Sequence, residues 1–494
     1  MNPKIPSLCA AALLGCFSAV AQQAAPATSD RLATLKALKI DSATNVQVEH
    51  ADSPSRIVVK LVLQPAKGSN INIEVSLPDA EKWNGRFVGF GNGGAAGKIS
   101  SGGLVGPTAG GYAVATTDMG TAPNADSGVG NKEVWKDFGF RATHLMTVVA
   151  KQIVQAYYGK APEFSYFSGG STGGQQALQE AQRYPEDYDG ITAAVPAHCR
   201  TPLHAYFLWN DQILKKCPFT KAQEASVIAA ANEYMAKREI PLAAGKFVSD
   251  PRCTAQDIEA VIALARQKDT TLTDDHAAAL HKLFDGPRHA VTGERIFNGI
   301  PLGSSIAAAH GHLYLFKWVF GADKPLEEIN FGADIDTYTA ALAPYLNAEN
   351  PDLTAFEKRG GKLVATTGAA DSVVPCPATI DYYERVIECF GSLEKVQSFF
   401  RLYLVPGMAH GGGPGVNQPP SLLETVRTWR EKGTVPGTLT GKHVVEGKVE
   451  WELALQPYPL KTGWNAATSA FQPTEGKRGG VERVAERFRP PAAE

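Results

Sequence analysis

The sequence predicts an α/β fold, a largely parallel sheet with helices on both faces and a large helix-rich lid inserted in its second half. Three observations predict it. Short apolar runs alternate with helical stretches up to residue 195; that rhythm stops after Cys199, where residues 205–335 read as helix with few strand candidates; and strand pattern resumes only at residue 362.

The first residues combine Lys4, an apolar stretch over residues 8–20 and Ala19-Val20-Ala21, the small-x-small pattern of a signal-peptidase site. Residues 1–21 therefore read as an export signal, giving a secreted or periplasmic protein. Leu13-Leu14-Gly15-Cys16 competes as a lipobox that would anchor the chain through Cys16, but the apolar run continues past that cysteine. No other stretch approaches the ~18 apolar residues of a membrane span. Residues 22–29 and 487–494 read as disordered tails.

Between them, residues 56–63 and 71–75 alternate in polarity around turn residues at 65–69, which predicts an antiparallel hairpin. Residues 83–90 form the next strand, ending in Gly91-Asn92-Gly93-Gly94, and residues 112–117 another. A helix over about 141–158, strands at 164–167 and 191–195, and helices at 221–237, 255–266 and 274–283 follow. Strands at 362–367 and 399–405 complete the pattern. The domain division is core 22–204, lid 205–335, core 336–486 and tail 487–494.

A net charge of −2 and a pI near 6.6 give no electrostatic reason to bind nucleic acid or an anionic membrane, so a small-molecule partner is expected. Cys9 and Cys16 lie in the leader. Of the remaining cysteines, export makes pairing of Cys217 with Cys253, and then Cys376 with Cys389, the expected arrangement, with Cys199 left over; sequence does not fix connectivity.

Gly169-Gly170-Ser171-Thr172-Gly173 stands between the strand at 164–167 and a helical run from Gln175. A serine on such a strand–turn–helix apex is lifted clear of the sheet, with helix N–H groups behind it. A glycine-rich turn with an idle serine is the alternative. A nucleophilic serine needs a base oriented by a carboxylate, and in this architecture both follow it, each on a loop after a late strand. Asp371 fits the acid, directly past the strand at 362–367, and His410 fits the base, directly past the strand at 399–405. The oxyanion donors should be the backbone N–H of Thr172 and of Gly93 or Gly94. In the lid, Phe297, Leu302 and Trp318 are candidate walls for a substrate, as are Tyr314, Phe316 and Phe320; packing of the lid onto the core is the competing fate. His310 and His312 flank Gly311 nearby and could hydrogen-bond phenolic hydroxyls, but a His-x-His pair without nearby acids reads more often as structural, and the two lack the ligand set of a zinc site.

These segments, together with Trp83-Asn84-Gly85-Arg86-Phe87, Thr117-Asp118-Met119-Gly120, Trp135-Lys136-Asp137-Phe138-Gly139, Asp381-Tyr382-Tyr383-Glu384-Arg385 and Val405-Pro406-Gly407-Met408, resemble the tannase and feruloyl esterase family, which also includes mono(hydroxyethyl) terephthalate hydrolase. The resemblance implies an α/β-hydrolase sheet carrying a large lid, and a secreted serine esterase acting on esters of aromatic acids such as gallate or ferulate. Short aliphatic esters, or a catalytically silent binding module, are the competing readings. In the family, cysteines precede the nucleophile and follow the histidine; here Gly170 and Gly411 stand in both places. The family lid commonly holds calcium in an Asp-rich loop closed by a disulfide. The matching residues, 241–250 between Cys217 and Cys253, keep only Asp250, so no calcium and no other cofactor is expected.

Overall fold

The computed structural model describes residues 28–321, 323–465 and 467–489. The leader at 1–21 lies outside them. Nine strands form one sheet: β1 (Ala43–Asp52), β2 (Ser55–Leu63), β3 (Ile71–Pro78), β4 (Arg86–Phe90), β5 (Ala113–Thr117), β6 (Phe164–Gly170), β7 (Gly190–Ala194), β8 (Lys362–Gly368) and β9 (Phe400–Val405). Their spatial order is β1-β2-β3-β5-β4-β6-β7-β8-β9. The first three are antiparallel neighbours and β3 meets β5 antiparallel, but every pair from β5 onward is parallel. This is the α/β-hydrolase-type sheet the sequence predicts.

The parallel strands read as continuous apolar runs because both faces are buried. Along β6, Phe167 joins a cluster on one face with Phe87, Ile191, Met146 and Ile153, while Tyr166 joins the other face with Val88, Val364, Val426 and Trp429. Helices Ala142–Tyr158 and Leu422–Lys432 supply those opposite covers. Exchange of β4 and β5 in the spatial order brings the ends of β4 and β6 side by side, and ligand sites of open parallel sheets form outside such strand ends.

Between β7 and β8 the described residues form helices and loops and no sheet strand, and they pack in an apolar cluster that includes Tyr206, Phe207, Leu283, Phe316 and Tyr338 together with Phe138 of the core. Three of its helices start sharply because Thr220, Thr254 and Thr273 each make reciprocal side-chain and backbone hydrogen bonds with the residue three positions on, Gln223, Asp257 and His276. The insertion begins earlier than 205, in helix Arg200–Lys216, and its last long helix, Ala333–Leu346, runs past 335.

Other expectations are corrected. Residues 487–489 belong to the fold: Phe488 is buried and Arg489 donates to Asp381 Oδ2 at 2.9 Å. Likewise helix Thr28–Ala37 starts inside the stretch read as an N-terminal tail. Cys217 and Cys253 are free thiols, as are Cys199, Cys376 and Cys389. Cys253 stands just before helix Ala255–Lys268, whereas Phe219, two residues past Cys217, packs 5.0 Å from His276, beyond the far end of that helix. Fourteen residues of helix, roughly 20 Å, is far beyond disulfide reach. Cys376 and Cys389 likewise sit near opposite ends of one helix, Cys376–Phe390. Two C-terminal hairpins, Leu439–Val445 with Lys448–Leu455 and Lys461–Asn465 with Ala470–Thr474, add to the pattern read from sequence.

Where β4, β6 and helix Thr172–Arg183 converge, backbones touch directly. A Cβ on Gly169 would lie 2.1 Å from the Gly173 carbonyl oxygen, and one on Gly91 2.5 Å from Gly173 Cα. At Gly170 the nearest atoms are 3.6 Å away, ordinary contact. Gly169→Ala should therefore lower stability by about 3 kcal/mol or more through backbone overpacking, and Gly170→Ala should leave the thermal midpoint nearly unchanged. Equal midpoints for the two variants would contradict this packing.

Candidate active site

Ser171 follows β6 directly and adopts φ 58° and ψ −119°, a left-handed backbone that a serine takes only when its surroundings impose it. The imposing bonds come from the exit of β7: Ser171 N–H donates to Ala194 O at 2.9 Å, and Ala197 N–H donates to Ser171 O at 3.0 Å. The turn thrusts Oγ away from the sheet toward the loop that follows β9. There His410 Nε2 lies 3.1 Å from Ser171 Oγ, and His410 Nδ1 lies 2.8 Å from Asp371 Oδ2. With Nδ1–H given to the carboxylate, Nε2 is left to accept the serine proton.

Asp371 is wholly buried in the loop after β8, and its other oxygen accepts the N–H groups of Val373 at 2.9 Å and Val374 at 2.8 Å. The two loops brace each other, with Ala370 N–H on Met408 O at 2.9 Å. The insertion holds both from above: Tyr206 O–H donates to Ser372 O at 2.8 Å, and Gly407 N–H to Val248 O at 3.2 Å. The His410 side chain is 25% exposed against 0% for Asp371, so the imidazole meets solvent while its carboxylate partner stays dry.

Beside the serine, Asn92 and Gln176 fasten the glycine loop to the helix that follows Ser171. Asn92 N–H donates to Gln176 Oε1 at 2.8 Å, Gln176 Nε2 donates to Asn92 Oδ1 at 3.2 Å, and Gly173 N–H donates to Asn92 O at 2.7 Å. Thr172, first in its helix, has no intrahelical acceptor for its N–H. Around Gly93 and Gly94, whose φ is +56°, there is open space within 4 Å of a Cβ position. The predicted donors thus stand together at the strand ends, next to Ser171.

Arg200, the first residue of the insertion's first helix, escaped sequence reasoning. It is 3% exposed, donates Nη1–H to Thr172 Oγ1 at 3.0 Å and Nη2–H to Gly94 O at 3.0 Å, and reaches Tyr314 Oη at 2.6 Å. Thr172 Oγ1 itself donates to Gly94 O at 2.7 Å. No carboxylate among the described residues pairs with this guanidinium, which instead lies over the Phe138 ring at 5.2 Å. A buried cation thus clasps both segments that carry the candidate oxyanion donors, and its charge favours negative charge developing there.

The three lid candidates face elsewhere. Phe297 and Leu302 are 0% exposed and Trp318 1%, all inside the insertion's apolar cluster. Trp318 packs edge-on against Phe138, and its Nε1–H donates to Ala125 O at 2.6 Å. This corrects the expectation that these residues wall a substrate site: their apolar surface is spent holding the insertion together and onto the core.

Gly170 leaves room for a side chain, but Gly411 has φ +92°, a conformation that disfavours cysteine, so the histidine loop is built for glycine. Asp250, sole acidic survivor of the stretch aligned with calcium loops, bonds Arg252 Nε at 2.8 Å and Nη2 at 2.6 Å and pairs with Lys461. Burial pushes its carboxyl up, yet the hydrogen bonds and charges of Arg252 and Lys461 outweigh burial and bring it down to about 2. One carboxylate already facing two cations does not fit a calcium ion, which takes several oxygen ligands. Two other clusters bring metal-type donor atoms together, His198 with Cys199 and Glu349, and His144 with Glu180 and Asp187. Glu349 is bonded by Arg385 at 3.0 Å and Asp187 by His144 at 2.7 Å.

Known proteins resemble this chain in sequence and in fold. The family model described as tannase and feruloyl esterase matches residues 55–326 and 326–475. A probable feruloyl esterase of Arthroderma benhamiae is 30% identical over 74% of each chain, and an uncharacterized esterase of Xanthomonas campestris is 28% identical over 90% of each. In fold, the chain is similar to feruloyl esterase B from Aspergillus oryzae, with a TM-score of 0.77 at 22% identity over 90% of this chain and 100% of that one. The tannin acyl hydrolase from Aspergillus niger gives 0.76 at 18% identity over 93% and 99%. The chain belongs to the tannase and feruloyl esterase family, a family of carboxylic ester hydrolases.

Proposed function

We propose that the protein hydrolyses esters of aromatic, phenolic acids through a Ser171–His410–Asp371 triad and an acyl-enzyme. The observation that carries this reading is the unbroken chain of contacts from Asp371 through His410 to Ser171, drawn from the ends of three separate strands. His410 Nε2 takes the Ser171 proton as Oγ attacks the ester carbonyl carbon. The carbonyl oxygen becomes an oxyanion held by the N–H of Thr172 and of the Gly93-Gly94 segment, in the field of Arg200. Collapse of that intermediate breaks the ester bond, with His410 returning the proton to the departing alcohol. Water, deprotonated by the same imidazole, then attacks the acyl group and frees Ser171. Asp371, dry and bonded on both oxygens, holds the imidazole tautomer and stabilises its charged form.

The aromatic acyl group follows from relatives named feruloyl esterases and tannin acyl hydrolase. The helical insertion, which supplies Arg200 and Tyr206 to the site, acts as its lid. Export through residues 1–21 remains the reading of the leader; among the described residues no helix is long and apolar enough to cross a membrane.

A panel of methyl ferulate, methyl gallate, a terephthalate half-ester and p-nitrophenyl butyrate should show kcat/KM highest for an aromatic acyl group, and Ser171→Ala should lower every rate by at least about 10⁴-fold. A preference for the aliphatic ester would replace the aromatic reading, and retained turnover in Ser171→Ala would remove the triad. The protein also works without calcium: its thermal midpoint should be the same in millimolar calcium and in chelator, and a calcium-dependent rise would contradict the assignment of Arg252 and Lys461 as the partners of Asp250.

A further inference from the structure

We infer that His312 is a substrate-binding residue, presenting its imidazole to a phenolic hydroxyl on the acyl ring. The inference rests on the aromatic-ester reading and names the group that would recognise the ring's substituent.

The position follows from a continuous wall. Arg200, in contact with Thr172 and Gly94, bonds Tyr314. One turn further along the same helix, the His204 ring packs at 5.1 Å from Tyr314 and 5.4 Å from Phe207, and the Phe207 ring lies 5.6 Å from His312. His312 therefore caps the lid wall that begins at the oxyanion loop. Arg200 and His410 both act on its charge, and unlike His204 and Phe207 its side chain reaches solvent.

Its backbone is the second observation. His312 adopts φ +54°, directly after Gly311 at φ +106°. A histidine in the left-handed region is strained, and such strain is kept where the surroundings fix it, most often at sites that bind or react. No acidic side chain among the described residues pairs with the ring, so its polar atoms are free for a ligand.

The chemistry follows from the charges around it. Partial desolvation of the ring against its neighbours first, then Arg200 and His410, hold the imidazole below its ordinary range. Arg200 lacks a carboxylate partner, so a second positive charge here is disfavoured. A neutral imidazole both donates and accepts, matching a phenolic hydroxyl, which does the same. A carboxylate substituent would instead need the protonated ring.

The test is the ratio of kcat/KM for methyl 4-hydroxycinnamate to that for methyl cinnamate, in the wild-type protein, His312→Gly and His312→Asn. Glycine suits the left-handed backbone, so His312→Gly removes the imidazole while relieving strain, and an unchanged thermal midpoint certifies the fold. The ratio should fall about fivefold in His312→Gly, the size of one neutral hydrogen bond, and His312→Asn should recover part of it. An unchanged ratio, or a fall shared equally by both esters, would overturn the assignment of His312 while leaving the esterase reading intact. A wild-type protein that hydrolyses p-nitrophenyl butyrate but neither cinnamate would overturn the aromatic reading, and this inference with it.

Discussion

The molecule is organised around one backbone constraint, the left-handed turn at Ser171. It is sustainable only because three glycine backbones pack where side chains would collide: Gly91 at the end of β4, Gly169 in β6 and Gly173 in the following helix. That contact places the serine hydroxyl, the Thr172 N–H and the Gly93-Gly94 segment in one small volume. The strain, of order 1–3 kcal/mol for a non-glycine residue, is absorbed by a sheet buried on both faces. A side chain at any of the three crossings would separate the groups before it affected any of them chemically.

Around this turn the sheet and the insertion divide the work. The sheet supplies position, since Ser171, Asp371 and His410 each sit just past the end of a parallel strand whose place is fixed by its neighbours. The insertion supplies charge and enclosure. Arg200 brings a buried cation to the Thr172 and Gly94 segments, Tyr206 restrains the acid loop, and Val248 restrains the histidine loop. The stretch ending at Asp250 is pinned by Arg252 and Lys461, so an ion pair reaching to the C-terminal hairpins anchors the segment that steadies His410. Positioning is thus distributed over residues from Gly91 to Lys461, although the atoms placed to react are few.

What the sequence revealed depended on whether the signal was local. The order serine, acid, histidine, each past a strand, was legible because loops after parallel strands share one edge of a sheet, and the structure brings these residues into contact. The helices of the insertion were legible to within a few residues from their caps and periodicity. Arg200 was not, because Cys199-Arg200-Thr201 carries no motif and its role arises from contacts with Thr172 and Gly94, distant in the chain. Phe297, Leu302 and Trp318 misled because an aromatic or aliphatic side chain reads the same whether it lines a site or fills a core. The cysteine pairing failed on distance: helix Ala255–Lys268 stands between the positions of Cys217 and Cys253, and no count of thiols reveals a helix length. The exchange of β4 and β5 is likewise a matter of topology that strand propensity cannot report.

The central claim is that Ser171 Oγ is the atom that attacks the ester. Peptide mapping by mass spectrometry after partial inactivation with a fluorophosphonate tests it most directly. The account predicts a single adduct, on Ser171, accumulating in proportion to the loss of ester hydrolysis. Full hydrolytic activity in a protein carrying that adduct, or inactivation by an adduct on another residue with Ser171 unmodified, would contradict it.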